Sequence, residues 1–465
     1  MHPVDYGLLA LYFVVLLALG FARRLGKDSS ASQLIVGGRV LTLPAFVASL
    51  VSTWYGGILG VGEFSYRFGL SNWLVFGLPY YLAAFLFAVF LARRAREAEV
   101  LTIPDQLAKV YGDRVAAAGG IVIFVMTLPA AYVLMLGTLG ELLLGWPFWV
   151  GVVAGSVVSV TYVYMGGFNS VVRTDVFQFV LMYAGFIVLF VILLVEYGGL
   201  SFLVAHLPPA HLTWHGGNPP LYIATWYVIA LATLIEPAFF QRCYAASSAS
   251  VARRGILVSI ACWALFDCLT TSVGLYARAI LPDLSNPVAS YPALAREILP
   301  AGLLGLFLLS VVVTVQSTVD SYFFLSASTF GNDIMRRLGL IGESRVTAWT
   351  RVGLAVSLVL AIVLALFFRS VVDVWYTMGS IGTPALLVPV FLAFTGRRRL
   401  DPSRALLSII ACGGLSLLWY LSKHFTGTGE YWWGLEPIFP GLALSLMTLA
   451  LGWRCATETL PTGRP

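Results

Sequence analysis

Ser52-Thr-Trp-Tyr-Gly-Gly-Ile-Leu-Gly-Val-Gly62 lies inside an apolar run, residues 40–66, and carries four glycines within seven residues. Glycine costs a helix about 1 kcal/mol relative to alanine, so this run is expected to unwind part-way across a membrane and expose carbonyls and helix ends. A second run, residues 222–243, holds Glu236-Pro237 at mid-length, where proline removes a helical hydrogen bond. Counted from the glycine-rich run, the two breaks fall in the first and sixth of ten apolar spans. These are equivalent positions of two five-helix halves, the pattern left by an inverted repeat whose ligand sites lie at the unwound helices. Glycines also let helices pack closely, but that alone would not match the positions of the two breaks.

Composition agrees. Hydrophobic residues make up 59% of the 465 and charged residues 11%, well below the roughly 25% charged of soluble domains. Runs of about 20 apolar residues number thirteen: 5–22, 40–66, 71–92, 115–143, 146–166, 173–195, 222–243, 252–279, 300–330, 345–368, 371–394, 403–423 and 436–453. The fold class expected is therefore an all-α polytopic membrane protein of thirteen transmembrane helices, read as one transporter domain over 1–465. Its core repeats would be 40–195 and 222–394, with an extra first helix at 5–22 and two C-terminal helices within 403–453. The first span is no signal peptide: Asp5 precedes it, Arg23-Arg24 follow it, and it lacks a small-residue cleavage site. Loops after odd-numbered spans carry Arg93, Arg94, Arg96, Arg242, Arg253, Arg254, Arg336, Arg337 and Arg397 among others, whereas the opposite side holds Arg67, Arg278, Arg296, Arg369 and Lys423. By the positive-inside rule the N-terminus is outside and the C-terminus cytoplasmic, in a plasma (inner) membrane. The net charge of +6 follows from topology, so no nucleic-acid partner is implied. The five cysteines show no paired spacing, and His206, His211 and His215 read as solvated loop histidines because Pro208-Pro209 interrupt any helix aligning them.

Chemistry concentrates in Val315-Gln-Ser-Thr-Val-Asp-Ser-Tyr-Phe-Phe-Leu-Ser-Ala-Ser-Thr-Phe-Gly-Asn-Asp333. A carboxylate at mid-bilayer costs at least a few kcal/mol and so faces a bundle interior, a water path or an ion. Ser317, Thr318, Asp320 and Ser321 are hard oxygen donors within one turn, suited to Na⁺ and not to a soft transition metal.

Four segments together resemble the sodium/solute symporter family: Ala48-Ser-Leu-Val-Ser-Thr-Trp-Tyr-Gly-Gly57, Gly166-Gly-Phe-Asn-Ser-Val-Val-Arg-Thr-Asp-Val-Phe-Gln178, Phe240-Gln-Arg-Cys-Tyr-Ala-Ala246, and Ser317-Thr-Val-Asp-Ser321 through Asn332-Asp-Ile334. The resemblance implies a five-plus-five inverted repeat of the leucine-transporter type. It also implies Na⁺ as coupling ion, with no organic cofactor, and import of a small organic solute by alternating access. It implies a main sodium site from the carbonyls of Ser52, Tyr55 and Thr314 with the hydroxyls of Ser317 and Thr318. A second site would follow from Asp175, Asp320 and Ser321, taking a second ion or a proton. Alternatively Asp175 caps a helix or pairs with Arg173. Thr53-Trp-Tyr-Gly-Gly57 and Glu63-Phe-Ser-Tyr66 look most like the choline-transporting branch, although Glu236 stands where that branch has tryptophan.

For the substrate, Trp54, Tyr55, Gly56 and Gly57 at the first break, Tyr132 on the fourth span, Glu236 and Phe239 at the second break, and Trp375 on the eleventh span are the expected wall. Aromatic faces with a carboxylate favour an organic cation, so an ammonium-bearing solute is the leading reading. Glu236 has three readings: substrate partner, proton carrier, or cap of unwound amides. Glu63, Glu141, Asp267 and Asp373 are further acidic candidates. A transporter-like sensor working through a separate partner is the alternative, although no output domain and no obligate protein partner are evident. An enzyme is not expected, since neither a Gly-x-Ser-x-Gly elbow nor a His-Glu-x-x-His helix occurs.

Overall fold

A computed structural model of the chain describes residues 1–22, 30–368, 371–396, 398–426 and 429–455. Arg23, Arg24, Lys27, Arg369 and Arg397 of the charge count lie outside the described residues, as does the side chain of Asp373.

The helices are α1 (Pro3–Phe21), α2 (Leu43–Trp54), α3 (Ile58–Phe68), α4 (Trp73–Phe90), α5 (Asp113–Leu144), α6 (Phe148–Gly166) and α7 (Phe168–Tyr197), followed by α8 (Pro220–Ala245), α9 (Ala249–Ile280), α10 (Leu303–Met335), α11 (Val346–Phe367), α12 (Val371–Thr395), α13 (Pro402–Ser422) and α14 (Ile438–Gly452). α2 and α3 are one span bent by 61°. The bend falls at Tyr55–Gly57, where the glycine pair removes the side chains that would hold a continuous helix. α8 breaks as expected: residues Ala230–Ile235 tighten into a 3₁₀ turn, Glu236 is extended (φ −69°, ψ 115°), and helix resumes at Pro237.

Among the described residues, eleven helices are long and apolar enough to cross a bilayer, or twelve with the bent pair. The expected thirteenth, α14, is apolar but only 15 residues long. At 1.5 Å per residue it reaches roughly 22 Å, short of a core of about 30 Å. α5 is interrupted where Thr127–Pro129 leave the helix, inside the apolar run 115–143 expected to be continuous, at a proline that marks the break.

α10 is the axle. It is buried along nearly its whole length, with α7, α2, α5, α6 and α11 packed around it. Asp5 ties α1 to its start by accepting from the Gly302 and Gly305 amides at 2.8 and 2.9 Å. At the far end, Asp105 on the short helix Ile103–Tyr111 receives Arg336 at 2.5 Å and Arg337 at 2.6 Å. Thr102 donates to Asp333 at 2.6 Å beside them.

One loop histidine departs from expectation. His211 is buried, its Nε2 3.0 Å from the Tyr66 carbonyl, because the turn Pro209–Leu212 folds over the end of α3 instead of projecting into solvent. His206 is exposed and His215 partly so.

Candidate functional site

At the α2/α3 break the chain and α10 meet with almost no space between them. Thr318 Oγ1 donates to the Thr53 carbonyl at 2.7 Å and lies 3.5 Å from that of Ser52 and 3.3 Å from that of Thr314. A Cβ on Gly56 would stand 2.2 Å from this hydroxyl, so only glycine admits the approach. Ser52 bonds its own hydroxyl back to the Ala48 carbonyl at 2.9 Å, leaving its carbonyl as the group near Thr318. Thus three of the five oxygens expected for the main sodium site lie around one point, and Tyr55 ends α2 beside them. All are hard donors of the kind sodium requires. Ser317 turns away and donates to Asp175 at 2.6 Å.

The second expected set is arranged differently. Asp175 accepts from Ser49 and Ser317, each at 2.6 Å, and pairs with Arg242 at 3.2 Å. Arg242 is fully buried and its Nη2 also donates to Thr53 at 2.8 Å and Ser321 at 2.7 Å. Asp320 faces elsewhere, accepting from Tyr162 and from Gln316 Nε2 at 3.1 Å. Asp175 and Asp320 thus have separate partners, and the basic side chain paired with Asp175 is that of Arg242, not the expected Arg173. The physical cause is the cost of a lone carboxylate in a low-dielectric interior, met here by an arginine of α8. Counting Arg242 with the loop charges that set orientation was accordingly wrong, because charge counting is blind to burial.

Above this layer lies a cavity of 210 Å³. Gly57, Gly60 and Val61 of α3 and its approach form one wall, Trp226 and Ile229 of α8 another, and Trp375, Tyr376, Met378 and Gly379 of α12 a third. Trp54 and Tyr55 form the base, with Tyr80, Tyr132 and Tyr322 around them. Gly57 is needed for shape: a Cβ there would meet the Trp375 ring at 2.2 Å. Glu236 lines the cavity, and one oxygen, Oε1, accepts from Tyr322 Oη at 3.0 Å and from the Ala238 amide at 3.3 Å. It therefore caps the second half of α8 while lining the cavity.

Phe239 stands one layer behind the wall. It is fully buried, with its ring 5.0 Å from Trp54 and 5.6 Å from Trp263, because residues after Pro237 re-enter helix and turn into the core. Gly56 likewise faces Thr318 instead of the cavity. Asp267, one of several acidic candidates in the sequence, lines the cavity and accepts from Tyr55 and Tyr81. Tyr81, Trp226 and Tyr322 gave no sequence signal, since aromatic residues are common throughout such bundles.

The profile of the sodium:solute symporter family matches residues 34–411. The chain belongs to that family. Within it, the sodium/pantothenate symporter of Escherichia coli (strain K12) is 23% identical, covering 97% of this chain and 96% of that protein. The osmoregulated proline transporter of Bacillus subtilis (strain 168) is 24% identical, covering 94% and 92%. Among solved structures, a Na⁺-coupled sialic acid symporter in a substrate-bound outward-open state superposes with a TM-score of 0.78 at 16% identity, covering 98% and 99% of the two chains. A nucleobase-cation-symport-1 family transporter in a closed conformation follows at a TM-score of 0.58 and 12% identity, covering 91% and 93%. These likenesses carry the fold: this sodium:solute symporter is built on the leucine-transporter architecture, and its activity is sodium-coupled transport of a small organic solute.

Proposed function

We propose that this symporter imports an ammonium-bearing organic solute, binding it between Glu236 and the aromatic walls contributed by Trp54, Tyr55, Tyr132 and Trp375. The observation that carries the reading is the chemistry of the cavity lining: among the described residues it includes carboxylates and many aromatic faces but no lysine, arginine or histidine. Such a lining attracts a desolvated organic cation by charge and by cation–π contact and repels a solute that is only anionic. Gly57, lacking a side chain, lets the Trp375 ring close against the first break as part of this wall.

Sodium is proposed to bind to the carbonyls of Ser52, Tyr55 and Thr314 and the hydroxyls of Thr318 and Ser317, the last after rotating from Asp175. Such an ion ties the unwound first span to α10, and substrate bound at the same break must tighten sodium by the same factor that sodium tightens substrate. Asp175 and Ser321 are engaged by Arg242, so the proposed stoichiometry is one sodium per solute, with Asp320 outside the ion path. The cavity lies among the start of α3 and the first halves of α8 and α12, the second half of α12 being the part that meets the helix of Asp105, while residues Pro237–Ala245 of α8 are all buried. This supports an outward-facing state, with the N-terminus outside, the C-terminus cytoplasmic and the protein in the plasma membrane.

The test is thermal stabilisation of purified symporter by amines, zwitterions, sugars and carboxylates in sodium and in potassium. A cationic ligand is expected to stabilise in sodium alone, and Glu236→Gln is expected to weaken it about tenfold or more, equivalent to about 1.4 kcal/mol. A best ligand that is anionic, or equal binding of the best cation by the variant, defeats the ammonium reading.

A further inference from the structure

Two carboxylates line the cavity, and they belong to different constellations. Glu236 sits at the α8 break with Tyr322, whose ring centroid is 5.1 Å from that of Tyr132, itself 5.8 Å from Trp375. Asp267 sits on α9, held by the hydroxyls of Tyr55 and Tyr81 from α4 and the α2/α3 break, with Thr270 2.8 Å from the Tyr55 hydroxyl. No hydrogen bond or shared partner links the two acids, and both are more than nine-tenths buried. Among the described residues neither makes a salt bridge: the buried Arg242, whose charge is felt at Glu236, is itself bonded to Asp175, Ser49, Thr53 and Ser321. Tyrosine hydroxyls orient each carboxylate without placing a cation against it, and a buried charge with no cation in contact is costly until one meets it. Sodium at the Thr318 cluster is committed to carbonyls and hydroxyls. It leaves both cavity acids for the solute.

We propose that the solute carries two cationic centres, a short linear diamine or a related two-headed amine, with one ammonium at Glu236 and the other at Asp267 and its methylene chain lying against Trp54 and Trp375. This rests on the ammonium reading above and extends it from one charge to two. Aromatic faces between two acidic poles suit such a molecule, since the apolar middle is buried while each end finds a carboxylate. A monoamine would satisfy one pole and strand the other.

The experiment is equilibrium binding to the intact symporter in sodium, comparing α,ω-diaminoalkanes of three to six carbons with n-alkylamines of matching length. The expected result is one diamine length that binds at least about tenfold tighter than its matching monoamine. Asp267→Asn is expected to bring each diamine and its matching monoamine to comparable affinity, whereas Glu236→Gln weakens both ligand series. Diamines no tighter than monoamines at every length, or a full diamine advantage retained in Asp267→Asn, overturn the two-headed proposal while the single-ammonium reading stands. Binding of no amine of either series overturns both. The comparison on the unmodified protein decides the matter even if Asp267→Asn fails to fold.

Discussion

Gly56 and Thr318 show how much of the proposed ion site rests on one missing methyl group. The hydroxyl of Thr318 reaches the carbonyls of the broken span because nothing projects from Gly56. We predict that Gly56→Ala raises the sodium concentration for half-maximal ligand stabilisation at least about tenfold, because the added methyl forces Thr318 away. Thr318→Ala should do the same by removing the ligand itself, whereas Thr318→Ser should stay near the parent. If both alanine variants keep the parent's sodium dependence, measured by thermal shift against sodium at fixed ligand, the Thr318 cluster is not the ion site. Arg242 is the residue-scale counterexample to reading charge from sequence. Its neighbours Gln241 and Cys243 gave no hint of depth, and its partners lie on α2, α7 and α10, far away in the chain. Composition could place it near a membrane face; only packing reveals it as the cation of the Asp175 pocket.

Among the elements, the ones that break were the most legible. The glycine cluster and Pro237 mark the two interrupted spans because each removes something a helix needs, a side chain in one case and a hydrogen bond in the other. Pro129 should have served equally well for α5. What could not be read was which side of each break faces the cavity, as with Gly56 and Gly57 or Glu236 and Phe239, because a bend of 61° in one helix and a 3₁₀ turn in another shift the helical phase. The turn Pro209–Leu212 was also illegible, for it is shaped by its seat on α3. There burial holds the His211 imidazole below its ordinary range, and nearby Arg278 acts in the same direction. The folded protein thus binds this proton less readily than the unfolded chain. The sign follows: stability from this contact is complete above the unfolded value of about 6.5 and is lost as pH falls through the depressed folded value. We predict that the melting temperature of the parent drops more between pH 7 and pH 5 than that of His211→Gln, which keeps a side-chain donor without a titrating ring. Parallel curves for the two proteins would show that His211 contributes nothing to acid sensitivity.

At the scale of the whole molecule, α10 meets both interrupted spans and the Asp105 latch, so movement of either broken helix is felt along its length. Among the described residues, and leaving aside Asp105 and Asp333 at the arginine-bearing end of α10, the buried centre around it contains the carboxylates of Asp175, Glu236, Asp267 and Asp320 against the guanidinium of Arg242. That imbalance makes the protein an electrical device as well as a chemical one. In the proposed cycle one sodium and a two-headed cationic solute together match that surplus of three negative charges, four carboxylates less one guanidinium, so the loaded trip inward carries little net charge from the protein itself. Once both have left, the emptied centre is negative, and a membrane potential that is negative inside pushes negative charge outward. A charge crossing the whole field gains about 2.3 kcal/mol per 100 mV, so the voltage that cells maintain would reset the empty carrier to its outward-facing form. We predict that voltage steps applied to the symporter without sodium or solute evoke a transient, saturable charge displacement, reduced when Asp267 is replaced by asparagine. A carrier that shows no such displacement moves its empty sites without net charge, and its return would then be timed by thermal motion alone.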